Sequence, residues 1–363
     1  MSEERDLAAE AAQALPVTLL TGFLGSGKTT LLNHLLGHPG MAETAVLINE
    51  FGAVGLDHLL VEKIDDEVVM LNAGCLCCTV RGDLVRALRD LFSRRVRMAV
   101  PEFTRVVIET TGLADPAPIL HTLISDPLIG SRYRLDGVVT TVDAATLEAT
   151  LDAYPEAVKQ IAVADRLLLT KSDLVDAETL ARARRRLEGI NPGVAPILAL
   201  NGQVEPAAVL DCGLFRPDRK TPDVADWLRA EAIEAHHGHH HDHDHHHHHH
   251  HHDPNRHDDR VRSFVLSFER PLAWPALAAG MDLLLATQGA NLLRVKGLLA
   301  VDDEDAPVAI HGVQHIFHPP VRLNAWPSDV PRRSRIVFIT RDLGPAAVKG
   351  VLESVLGQPA EVG

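Results

Sequence analysis

The sequence predicts an α/β fold, a parallel sheet flanked by helices and followed by a smaller α+β domain, and three observations carry that expectation. Short apolar, β-branched runs alternate with helix-periodic stretches from Pro16 to Leu200, the pattern of a parallel sheet covered on both faces. A glycine-rich loop, Gly22-Phe-Leu-Gly-Ser-Gly-Lys-Thr-Thr30, joins the first such run to the first helical stretch. Near His236 the composition breaks into histidine and aspartate, and a second set of strands and helices resumes at Arg262. A chain of 363 residues has room for two cores, and a hydrophobic content of 46% is ordinary.

The loop fits the G-x-x-x-x-G-K-[ST] pattern of a phosphate-binding loop, which makes it a nucleoside triphosphate site. Its flanks agree, with Pro16–Thr21 as a buried strand before it and Leu31, Leu32, Leu35 and Leu36 at helical spacing after it. Gly22, Gly25 and Gly27 let backbone N–H groups turn inward around phosphate oxygens, at the positive end of the helix dipole. Lys28 would neutralise the β and γ phosphates, and the Thr29 hydroxyl would hold Mg²⁺. Ser26 and Thr30 complete the nucleotide contacts. A chance glycine turn is the competing explanation, and both flanks argue against it.

Along the chain, Ala45–Glu50 reads as a strand that delivers Asn49 and Glu50 to the ligand edge of the sheet, the place for a phosphate-sensing switch. An ordinary solvated loop would read the same way. Val68–Asn72 is a further strand, turned by Ala73-Gly74 into Cys75-Leu-Cys77-Cys78, and a helix follows from Thr79 through Leu84, Leu88 and Leu91. At a helix entry the dipole favours thiolate, the form that binds metal. Zn²⁺ or Co²⁺ suits three such thiols, with Glu50, a histidine or water completing the shell. Inert buried thiols and a redox switch compete with this reading.

Thr104–Gly112 is a strand ending in Glu109, an acid placed to order Mg²⁺, and in Gly112, whose amide can sense the γ phosphate. Leu135–Asp143 and Ala164–Asp173 are the next strands. Beyond the second of them, Asp173 can accept from guanine N1–H and the exocyclic amine together, while Lys171 lies along the base. A capped turn opening the helix at Asp176 is the alternative. Pro196–Leu200 is the last strand of this part, and Cys212 reads as a lone structural thiol.

From about His236 to His257 the chain has no apolar face and cannot build a core, so it reads as a linker whose imidazoles collect divalent metal. Beyond it, Ser263–Phe268, Leu292–Val301, Val308–Phe317 and Arg335–Thr340 are expected strands, with helices at Trp274–Leu285 and Pro345–Leu356. Strand parity groups His311 with His315 and separates His318 from both.

A net charge of −14 argues against a nucleic-acid partner and against an anionic membrane surface. Four cysteines, three of them at 75, 77 and 78, form no even disulfide framework and suit a reducing compartment. Met1–Ala14 lacks the basic start and apolar block of a signal peptide, so the expected location is the cytoplasm.

Together these motifs resemble the CobW-like P-loop GTPases, relatives of the nickel-delivery GTPases of urease and hydrogenase maturation. The resemblance runs from Pro16 through the closing helix. It rests on Gly22–Thr30, Ile48-Asn-Glu-Phe-Gly52, Gly74-Cys-Leu-Cys-Cys78, Glu109-Thr-Thr-Gly112, Thr170–Asp173, the histidine-rich linker and Arg294-Val-Lys-Gly297. It implies a P-loop GTPase domain at 15–212, a His/Asp-rich linker at 213–260 and a CobW C-terminal α+β domain at 261–363. It also implies Cys75, Cys77 and Cys78 as ligands of a transferred metal, Glu50 as a nearby acid, and GTP with Mg²⁺ as cofactors. The expected activity is slow GTP hydrolysis that passes zinc to a client protein, with a second copy of the chain as a candidate partner. Cobalt delivery for cobalamin synthesis, a histidine-rich metal buffer and a small-molecule kinase are the rival expectations. Thr170 stands where the commonest guanine motif has asparagine, so loop support is expected to be missing there.

Overall fold

The computed structural model describes residues 14–48, 69–72, 80–212, 260–326 and 331–363, and the chain divides into two compact units. In the first unit the order is β1 (Leu15–Gly22), α1 (Lys28–Leu36), β2 (Thr44–Ile48), β3 (Val69–Asn72), α2 (Val80–Val96) and β4 (Arg105–Glu109). Then come α3 (Ala117–Ser125), α4 (Pro127–Gly130), β5 (Tyr133–Asp143), α5 (Leu147–Ala153), α6 (Pro155–Ala162), β6 (Arg166–Thr170), α7 (Ala177–Ile190), β7 (Pro196–Ala199) and α8 (Pro206–Val209).

The strands form one seven-stranded parallel sheet in the order β3-β2-β4-β1-β5-β6-β7. Strands covered on both faces need no polar side, which is why β2 is buried at every residue and reads as a continuous apolar run. Leu31, Leu32, Leu35 and Leu36 of α1 are all buried in the core that the sheet shares with that helix. Leu84, Leu88 and Leu91 do the same for α2. Helices α4, α6 and α8 start on proline, whose missing N–H costs nothing there; at α4 the Asp126 carboxylate also accepts from Leu128 N and Ile129 N. Because β1 has β4 on one side and β5 on the other, the loops at its carboxyl end part around a crevice.

One irregularity lies in the middle of the sheet. Between β1 and β5 the register shifts at Val17/Thr18, leaving Asp136 as the extra residue. Its buried carboxylate accepts from Thr18 Oγ1 at 3.1 Å and from Cys212 N at 3.4 Å. Burial, and then the neighbouring charge of Asp211, hold its pKa above the usual carboxylate range. Cys212 itself is a free, buried thiol, as expected.

The second unit contains β8 (Val261–Phe268), α9 (Trp274–Gln288), β9 (Leu292–Leu299), β10 (Val308–Val313), β11 (Ile316–Phe317), β12 (Val321–Arg322), β13 (Ser334–Arg341), α10 (Pro345–Leu356) and β14 (Glu361–Val362). Its antiparallel sheet runs β11-β10-β9-β13-β8-β14, with β12 on β10. Alternate residues Phe264, Leu266, Phe268, Ile336 and Phe338 form a core with Leu277, Met281 and Leu284 of α9 and Val348 and Leu352 of α10.

Two expectations are corrected here. Val308–Phe317 is a hairpin rather than one strand, because Gln314 takes a left-handed φ of 51° and Gly312 pairs back with Phe317. A Cβ at Gly312 would lie 2.8 Å from the Phe317 ring, so glycine is what lets the hairpin close. The parity grouping of the histidines fails for the same reason. The chain reverses at His315, and the His311 and His318 rings stack with centroids 4.9 Å apart. Burial, then the charges of Arg294, His318 and Lys296, push the His311 pKa well down and keep that ring neutral. Among the described residues no helix is long and apolar enough to cross a membrane.

Candidate functional site

At the carboxyl end of β1 the chain takes three positive φ angles in six residues, 142° at Gly22, 71° at Gly25 and 92° at Gly27. A side chain at Gly22 would fall on the Thr141 carbonyl oxygen, so the approach of the loop to β5 requires glycine as well as the angle. Lys28 opens α1 and folds back over the loop, its Nζ donating to Gly22 O at 2.8 Å and Phe23 O at 3.0 Å. The residue as a whole is 9% exposed, and its ammonium sits against loop carbonyls, where it can meet phosphate oxygens. Ser26 Oγ and Thr141 Oγ1 lie 2.7 Å apart and tie the loop to β5. Thr30 is exposed on the first turn of α1, and Gly25 has open space around it.

The parallel register brings Glu109, the last residue of β4, level with Leu20 of β1. The Thr29 hydroxyl donates to Glu109 Oε1 at 3.4 Å. A hydroxyl beside a buried carboxylate is a hard-oxygen pair of the kind Mg²⁺ takes, so both residues fit that ion. Gly112 packs against the phosphate-binding loop so closely that a Cβ there would lie 2.6 Å from Leu24 N. The buried Gln160 amide of α6 donates to Gly112 O at 3.1 Å and Ala114 O at 3.0 Å, and Lys159 pairs with Asp115 at 2.7 Å.

Beyond β6 the strand stops at Thr170, shorter than expected, because Lys171 adopts a left-handed φ of 53°. Ser172–Leu174 then makes a single 3₁₀ turn, with Asp173 exposed. Asp176, not Asp173, caps the next helix, its carboxylate accepting from Thr179 N at 2.8 Å. The capped turn weighed as the alternative is therefore present at Asp176, and the Asp173 carboxylate is not its cap. The expected loss of loop support at Thr170 is overturned. Its hydroxyl lies 2.9 Å from Ser26 O and 3.1 Å from Val142 O, joining β6 to the phosphate-binding loop directly.

Glu50, Cys75, Cys77 and Cys78 lie outside the described residues. Among the described residues no three His, Cys, Asp or Glu side chains gather as metal ligands.

The family model for the CobW/HypB/UreG nucleotide-binding domain matches residues 16–197, half of the chain, and that for the cobalamin synthesis protein cobW C-terminal domain matches 261–356. The chain is a P-loop GTPase of the CobW/HypB/UreG family. This GTPase is 33% identical to the zinc chaperone YjiA of Escherichia coli over 84% of its own length and 87% of that protein. It is 31% identical to the zinc chaperone CobW of Pseudomonas aeruginosa, covering 97% of this chain and 94% of that one. The crystal structure of Zn(II)-bound YjiA GTPase from E. coli superposes with a TM-score of 0.66 at 26% identity, covering 94% of this chain and 99% of the other.

Thr141 and Gln160 carried no motif signal, since Thr141 meets Ser26 and Gln160 meets Gly112 through contacts between segments far apart in sequence. The spacing of Gly22–Thr30, by contrast, is local enough to read directly.

Proposed function

We propose that this GTPase is a zinc chaperone that holds a divalent ion on Cys75, Cys77 and Cys78, with Glu50 beside them, and releases it to a client protein when GTP is hydrolysed. In this reading Gly22, Gly25, Ser26, Gly27, Lys28 and Thr30 hold the phosphates. Thr29 and Glu109 hold Mg²⁺, Gly112 senses the γ phosphate, and Lys171 with Asp173 selects guanine. The metal and the client are cargo and recipient, and the domains keep the boundaries 15–212, 213–260 and 261–363.

One observation carries the link between nucleotide and metal. In register, β2 pairs Ile48 with Asn72 of β3 on one side and with Glu109 of β4 on the other. Three strands therefore end side by side, two residues before Glu50, three before Cys75, and at the acid that pairs with Thr29. A γ phosphate that orders the loop after β2 thus acts beside the chain that leads to the cysteines, the arrangement by which nucleotide state orders or releases a segment. The zinc chaperones to which the chain is similar support zinc as the cargo, and three thiolates with a carboxylate suit it; cobalt suits the same donors.

The test is a chelator competition on the full chain with Mg²⁺ and either a non-hydrolysable GTP analogue or GDP. Zinc should bind at least about tenfold tighter with the analogue, a coupling of ordinary size for linked sites. Cys77→Ala should abolish that difference. Equal affinity in both nucleotide states would remove the reading. The histidine-rich run favours a second reading, a metal buffer, and deletion of 236–252 separates them: a buffer loses its capacity, a chaperone keeps its tight site.

A further inference from the structure

Asp143 is the last residue of β5 and sits in register with Thr170, the last of β6. Its Oδ1 accepts from Ala145 N at 2.9 Å, and its Oδ2 takes the Lys171 ammonium at 2.6 Å. The aspartate side chain is 10% exposed and the lysine 38%. With one oxygen fixed by backbone, the carboxylate is held in a single orientation, so the place of Lys171 Nζ is set by β5. The lysine's own backbone is also constrained, by its left-handed φ and by the Thr170 hydroxyl before it, which lies between Ser26 O and Val142 O.

We propose that Asp143 is a positioning residue for guanine selection: it holds Lys171 stretched along the place of the base before nucleotide arrives. The inference rests on the reading that Lys171 and Asp173 take the guanine base. A lysine stem is flexible, and one left free would have to be ordered by the nucleotide itself. Ordering such a side chain on binding weakens affinity by about 2- to 12-fold. Asp143 removes that loss in advance, and it does so for the residue that contacts the base. An ion pair of this exposure contributes little to folding by itself, so a role in the fold alone predicts a small effect that treats all nucleotides alike.

The experiment compares the full-length protein with Asp143→Asn and, as a control on the underlying reading, Asp173→Asn. Steady-state hydrolysis of GTP, ATP and xanthosine triphosphate is measured for each, together with the melting temperature. Asp143→Asn should raise KM for GTP by about 2- to 12-fold while KM for ATP moves less, and the loss should fall on KM rather than kcat. Asp173→Asn should move preference toward the xanthine nucleotide, because an amide N–H donates to the oxygen that replaces the guanine amine. If Asp173→Asn shifts preference and Asp143→Asn leaves the GTP:ATP ratio alone, the role of Asp143 is wrong and the guanine site stands. If Asp173→Asn shifts nothing, the guanine site itself is wrong, and this inference falls with it. GTP and ATP weakening equally as melting temperature drops would make Asp143 structural only. Should Asp143→Asn fail to fold, Asp143→Glu keeps the charge and displaces the carboxylate by one methylene. The same fall in GTP:ATP ratio is then expected, and an unchanged ratio overturns the role.

Discussion

Gly112 has no side chain because Leu24 leaves no room for one: a Cβ would lie 2.6 Å from Leu24 N and 2.8 Å from Leu24 Cα, both backbone atoms. Gly112→Ala should therefore displace this segment from the phosphate-binding loop while the buried sheet keeps its stability. A misplacement of about 1 Å at a reacting centre costs up to roughly a hundredfold in rate. Hydrolysis at saturating GTP should fall toward that limit, with little change in melting temperature; an unchanged kcat would deny Gly112 its sensing role. Asp136 makes a prediction about pH. Its folded pKa is raised above the unfolded value, so the fold favours its protonated form. That contribution is complete below the unfolded pKa and is lost as pH rises through the folded one. Asp136→Asn keeps an oxygen for Thr18 and Cys212 and carries no charge. It should raise the melting temperature near pH 8, and the gain should shrink as the pH falls through the raised folded pKa and be gone below about 4, the unfolded carboxylate value. A gain independent of pH would show that ionisation is not the cause.

At the scale of elements, α6 holds the segment after β4 at three points, Gly112 O and Ala114 O through Gln160 and Asp115 through Lys159. The Thr140 hydroxyl donates to Gln160 O at 2.8 Å and fixes that helix to β5. Gln160→Leu keeps the volume and removes both donors, and a buried carbonyl left without a donor costs about 1–3 kcal/mol. Amide exchange of residues 112–115 should accelerate and hydrolysis should slow; unaltered exchange would mean that the segment is held by something else. No helix is expected specifically at Pro155–Ala162 from the sequence, and nothing in that stretch names the carbonyls that its glutamine meets. Strands were legible more fully. β1, β2, β4, β5 and β6 fall within a few residues of expectation because burial on both faces writes a continuous apolar run. The hairpin of β10 and β11 was missed because a turn residue with φ of 51° is glutamine, which gives no turn signal.

For the whole molecule, linkage gives the zinc hypothesis a second, independent check. If the GTP analogue tightens zinc binding by some factor, zinc must tighten analogue binding by the same factor. Isothermal titration of the analogue and of GDP, each with and without zinc, should return that factor as the ratio of the two zinc effects, and a different ratio would mean that one of the titrations does not report the coupled site. Read alone, the sequence determined that a triphosphate loop sits between a strand and a helix, that alternating elements make a parallel sheet, and that a second folded unit follows a stretch without a core. Those are local facts, set by spacing and by what a short run can bury. The tertiary structure decided which distant residues meet: Thr170 on the phosphate-binding loop, Asp143 on Lys171, Gln160 on Gly112, His311 on His318. Each is a contact between segments whose neighbourhood depends on strand order and chain reversal, and no spacing along one segment encodes the position of another.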